Sequence, residues 1–97
     1  MISAGDVHRA DLNEERRRLV LVVSNAKFNK LADRVVVVPQ VFEAPDEVPF
    51  PWRVEFDGAV FAVDLMRTLP ADRLLRRTGR APESAMIAVR TAIRMIM

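Results

Sequence analysis

Two runs rich in β-branched residues, Leu19-Val20-Leu21-Val22-Val23 and Val35-Val36-Val37-Val38, constrain the fold more than any other feature of this chain. A branched Cβ restricts the side chain and suits the pleated surface of a sheet, so both runs read as strands. The apolar residues of the first run are continuous instead of alternating, which predicts cover on both of its faces. A chain of 97 residues has material for one hydrophobic core, so residues 1–97 are expected to form a single domain.

The remaining elements follow from turn and capping signals. Gly5 to Leu12 alternates loosely and reads as a first strand, and Asn13 to Arg18 as a polar connection into the second. Ala26 to Leu31 has room for one helical turn before a third strand, Arg34 to Val38. Three prolines between Glu43 and Pro51 exclude a helix there and predict a surface loop. Asp57-Gly58 is a residue pair favoured in two-residue hairpins, and it joins Trp52–Phe56 to Ala59–Asp64. Leu69 to Leu75 reads as a short helix with Pro70 in its first turn. Pro82 opens a last helix whose Met86, Val89, Ile93 and Ile96 or Met97 share one face. The expected fold is mainly β with α: a small, strongly bent SH3-like β-barrel of about five or more strands, with a short helix and a C-terminal helix.

Composition removes several functional classes. The chain has no cysteine and one histidine, which excludes disulfides and thiol nucleophiles and argues against a zinc site, so no metal or cofactor is expected. No apolar run reaches the length of a membrane span, and the N-terminus lacks the layout of a signal peptide, so a cytoplasmic location is expected. Residues 40–63 carry one basic and five acidic side chains, and residues 64–97 seven and three. Such a split can give a two-faced surface whose basic side suits phosphate, or merely solvated charge.

Chemistry must then come from Arg, Asp, Glu, Ser, Thr and His8. Arg16-Arg17-Arg18 stands directly before the second strand, on a rigid support. A guanidinium there is suited to bind a phosphate through paired hydrogen bonds and to steady charge building on phosphorus; a solubilising cluster is the alternative. Asp64, followed within one turn by Arg67-Thr68, forms either an ion pair with that arginine or a proton-transfer group beside a phosphate site. His8 is a further acid or base candidate. Met86, Met95 and Met97 suit core or dimer packing, and Trp52 suits closing the barrel.

In order along the chain, these stretches resemble the MazF/PemK family of toxin-antitoxin ribonucleases. The motifs are Gly5-Asp6-Val7 with Asp11-Leu12, Arg18-Leu19-Val20-Leu21-Val22-Val23-Ser24-Asn25, and Val36-Val37-Val38-Pro39-Gln40-Val41-Phe42. Farther on come Asp64-Leu65-Met66-Arg67-Thr68, then Arg73-Leu74, Arg76-Arg77, Gly79-Arg80 and the closing apolar helix. The similarity spans essentially the whole chain.

The resemblance implies a homodimeric toxin, an mRNA interferase cutting single-stranded RNA at short sequences without a metal and held in check by a cognate antitoxin. It puts Arg18 at the family's catalytic arginine and Asp64 at an aspartate implicated in some members. It places Arg67 near the RNA, and Arg16, Arg17 and Thr68 are further RNA-binding candidates. Val41 stands where many members carry a threonine, and Ala62 where some carry an arginine. Two other functions fit the same fold: a CcdB-like poison of DNA gyrase, and an inactive member that only binds antitoxin.

Overall fold

The computed structural model describes residues 1–42 and 50–97. Most of the expected proline-bearing loop, residues 43–49, lies outside the described residues. Among the described residues there are seven strands and two α-helices: β1 (Asp6–Ala10), β2 (Arg18–Val22), α1 (Ala26–Ala32), β3 (Arg34–Val41), β4 (Arg53–Phe56), β5 (Ala59–Ala62), β6 (Arg67–Pro70), β7 (Leu74–Arg80) and α2 (Glu83–Ile96). Neighbouring strands pair in the order β4-β5-β3-β2-β1-β7, and β6 joins β3 off this path. The bent sheet is open, with β4 and β7 at the two ends of the path.

β3 is the hub of the sheet. Its residues 34–37 pair with β6, residues 37–39 with β2, and residues 40–41 with β5. Pro39 therefore falls where β6 has ended and β5 has not begun, a place that tolerates a residue with no N–H to donate. The strand runs on through this proline to Val41, three residues beyond the end expected from the valine run. The double cover expected of β2 is present, and β3 shares it. Leu21 and Val38 join a cluster beneath α2, whereas Val20, Val22, Val35 and Val37 belong to a second cluster with Ala10 and Leu69. All six of those β2 and β3 side chains are fully buried, each contributing roughly 1.5–3 kcal/mol of hydrophobic stabilisation.

Local signals placed the smaller elements well. The Asn25 side chain caps α1 by accepting from the Phe28 amide at 2.9 Å. Asp57 and Gly58 both adopt positive φ, 51° and 76°, as the tight β4–β5 hairpin requires. On α2 the face containing Met86 and Val89 is buried, with Ile93 packed at its edge, while Ile96 and Met97 are exposed. Trp52 stacks on Phe50 at 4.8 Å and packs against the core.

One element differs from expectation. The stretch 69–75 is not a helix: Leu69 and Pro70 end β6, Ala71–Arg73 make one 3-10 turn, and Leu74 opens β7. Leu69 is drawn into the second cluster opposite Val35, and pairing with β1 makes a strand of the arginine-rich β7. Both are tertiary effects that override local preference.

An ion cluster around the buried Asp6 closes the β1–β7 seam. Gly5, at φ 96°, turns the chain so that Asp6 accepts from the Ser3 amide at 3.0 Å and from Arg80 at 2.8 Å, with Arg77 at 3.4 Å. Burial pushes the Asp6 carboxyl up, but the Ser3 amide, Arg77, the Ser3 hydroxyl and Arg80 together outweigh it and hold the group below its ordinary value of 3.8. A depressed carboxyl stabilises the fold above its unfolded-state pKa and loses that increment as pH falls through the folded-state value. Asp6→Asn is expected to cost about 2 kcal/mol at neutral pH. In urea titrations the gap to wild type should close on acidification below the ordinary carboxyl range; a gap independent of pH would show that the charge is not responsible.

Candidate active site

Arg18 opens β2 and is anchored on two sides. Its Nη1 donates to the Gln40 carbonyl at 2.9 Å and its Nη2 to Glu14 Oε2 at 2.8 Å. Gln40 in turn accepts the Leu19 amide on its side-chain oxygen at 3.1 Å, so the start of β2 and the end of β3 are tied twice. The side chain is 21% exposed, and its Nε is buried without a hydrogen-bond partner among the described residues. Of five N–H donors, one on each terminal nitrogen remains for a ligand.

Arg18 lines one depression, a second shares residues with it, and a third is bordered by its partner Gln40. The first, of about 370 Å³, is lined by Leu12, Glu14, Arg18, Pro39, Leu65 and Arg67. A second shares Leu12 and Arg67 with it and adds Thr68 and Arg73, so the two read as one groove. The third, across the end of β3, holds Arg16, Gln40, Val41 and Phe42 against the β4–β5 hairpin. Arg16 stacks over the Phe42 ring at 3.8 Å.

The candidates named from the sequence are thus divided. Arg18, Arg67 and Thr68 share a groove and Arg16 is adjacent to it, whereas Arg17 turns to Asp11 at 3.0 Å. The Asn13 amide lowers the Asp11 carboxyl, and Arg17 and Arg73 add to this against partial burial. Asp64 does not pair with Arg67. Its two oxygens take Arg53 Nε at 3.0 Å and Nη2 at 3.2 Å, because the turn after β5 returns it over β4. His8 is 7% exposed and lines none of these depressions; neither ring nitrogen has a partner among the described residues.

Glu14 was not singled out by the sequence reading. The only signal was its spacing four residues before Arg18, which implies contact on a helix; here an irregular connection brings the two together. Among the described residues no cluster of three or more His, Cys, Asp or Glu side chains is arranged to hold a metal ion.

The family model describing PemK-like, MazF-like toxins of type II toxin-antitoxin systems matches residues 3–97. The chain belongs to this toxin family. No curated protein sequence matches the toxin. Solved structures share its fold. An endoribonuclease in complex with its cognate antitoxin from a mycobacterial species is 24% identical with a TM-score of 0.86, covering 98% of this chain and 93% of that one. A MazE–MazF complex from Deinococcus radiodurans is 22% identical with a TM-score of 0.83, at 98% and 93% coverage. The Mycobacterium tuberculosis toxin MazF-mt6 is 21% identical with a TM-score of 0.74, at 91% coverage of both.

In this toxin the Gly5-Asp6 motif is structural, since it builds the seam with β7. The motif around Arg18 instead faces an open groove. Among the described residues no helix is long and apolar enough to cross a membrane.

Proposed function

We propose that the toxin is an endoribonuclease that cuts single-stranded mRNA at short sequences in the cytoplasm without a metal ion. It acts as a homodimer and is suppressed by a cognate antitoxin laid over the groove. The observation that carries this reading is Arg18, held between the Glu14 carboxylate and the Gln40 carbonyl with donors left over, in a groove it shares with Arg67. In support, solved structures of the same fold include an endoribonuclease with its antitoxin.

The chemistry asks for a proton acceptor and a fixed cation beside one phosphate. The ribose 2′-oxygen attacks phosphorus, its proton passing to Glu14, and Arg18 steadies the charge on the phosphorane. The bond to the 5′-oxygen breaks, and that oxygen takes a proton from solvent. Arg67, Thr68 and Arg16 hold the flanking backbone, while Arg17 is occupied by Asp11. Asp64, engaged by Arg53, acts by positioning the β4–β5 side of the groove. Val41 offers no hydroxyl at the groove rim, and this favours as second reading a member that binds antitoxin without cutting.

Incubation with a long single-stranded RNA in EDTA separates the readings. Cuts at a short motif, leaving 2′,3′-cyclic phosphate and 5′-hydroxyl ends, are expected. Intact RNA together with antitoxin binding would establish the second reading, and gyrase-dependent DNA breakage without RNA cleavage would replace both.

A further inference from the structure

Phe42 is the groove residue that the proposed chemistry leaves unexplained. It directly follows β3, two residues past Gln40, and 47% of it is exposed. Burying a phenyl ring is normally favourable, so an exposed ring with arginines gathered on it needs a reason. Arg16 lies over its face at 3.8 Å, and the Arg18 guanidinium is 5.5 Å from its centroid. The ring is therefore within one guanidinium of the group proposed to hold the scissile phosphate.

The depression that Phe42 borders, about 350 Å³, has walls of mixed polarity, lined by Arg16, Gln40 and Val41 and by the hairpin residues Gly58 to Val60. At Gly58 nothing lies within 4 Å of the place a Cβ would occupy, so that side is open. The uncharged polar side chain of this lining is Gln40. Its Oε1 accepts from the Leu19 amide, which sets the orientation of the side-chain amide. Its Nε2 donates no hydrogen bond among the described residues, so Gln40 presents donors to whatever enters. A stacking ring, a planar guanidinium and a fixed donor match a ligand with flat faces and an acceptor on its edge. An acidic peptide would satisfy Arg16 but offers no planar group for the ring.

We infer that Phe42 and Arg16 form the stacking wall of a nucleobase slot, which holds a base flanking the scissile phosphate while Gln40 donates to its edge. This rests on the ribonuclease reading. It also gives Val41 a purpose: an apolar side chain lines a base slot better than a hydroxyl does. Stacking of a base on an aromatic or arginine side chain is tolerant of base identity, so the preference at this position comes from the Gln40 donor.

The test is a double-mutant cycle between Phe42 and the base itself. Single-site RNA substrates are made with an abasic ribose on one side of the cut or the other, leaving the 2′-hydroxyl and phosphates intact. For wild type, removing one of the two flanking bases should raise KM about tenfold with kcat little changed, the behaviour of uniform binding lost. Phe42→Leu should raise KM by the same factor on intact RNA, show no further rise on the abasic substrate, and be rescued by Phe42→Trp. Effects that multiply, or wild-type cleavage indifferent to both flanking bases, would overturn the slot while leaving the ribonuclease standing. Absence of any wild-type cleavage would overturn the ribonuclease reading and the slot together.

Discussion

Arg18→Ala is expected to lower kcat for RNA cleavage by about 10²- to 10³-fold, the loss typical of removing one preorganised charge-stabilising donor. Stability should hardly change. Glu14 is an exposed partner, and ion pairs of that kind contribute about 0–1 kcal/mol. The Gln40 carbonyl lies at a strand end beside an open depression, where water can replace the guanidinium. Arg18→Lys should recover little, because one ammonium does not reproduce the fork that meets the Gln40 carbonyl and Glu14 together. Single-turnover cleavage alongside thermal melting checks this. A folded Arg18→Ala protein that cuts at the wild-type rate would remove Arg18 from the mechanism.

Glu14→Gln should be nearly as damaging, about 10²-fold or more in kcat, since glutamine keeps the shape and the hydrogen bond to Arg18 but cannot take a proton. Asp64→Asn should cost less than about tenfold, because Asp64 is bound through both oxygens to Arg53 and lines none of the three depressions around Arg18. The comparison is decisive because both are conservative changes at carboxylates of similar exposure. If Asp64→Asn is the slower enzyme, the proton acceptor is Asp64 and Glu14 only steadies Arg18.

These two carboxylates also show where sequence reading stops. Asp64 looked like a partner for Arg67, three residues on, because proximity along the chain was the only measure of distance available. The 3-10 turn after β5 sets it against Arg53 instead, eleven residues back. Glu14 and Arg18 carried a helical spacing in a segment that is not helical. The Gln40 carbonyl that anchors Arg18 lies 22 residues away, across the β2–β3 ladder.

Elements whose signal is local were legible in the residues themselves. The β-branched runs of β2 and β3, the Asp57-Gly58 hairpin and the Met86–Val89–Ile93 face of α2 each depend on neighbours a few positions apart. β7 was not legible, since Leu74–Arg80 is charged and exposed and becomes a strand only by pairing with β1. Nor was β6, whose Leu69 is claimed by a cluster built from three other strands. By itself the sequence determined a doubly covered β core and an arginine placed at its rim, because strand propensity and burial pattern are properties of contiguous residues. Only the tertiary structure decided which carboxylate, carbonyl and aromatic ring meet that arginine, because strand register brings together groups that no local interaction relates.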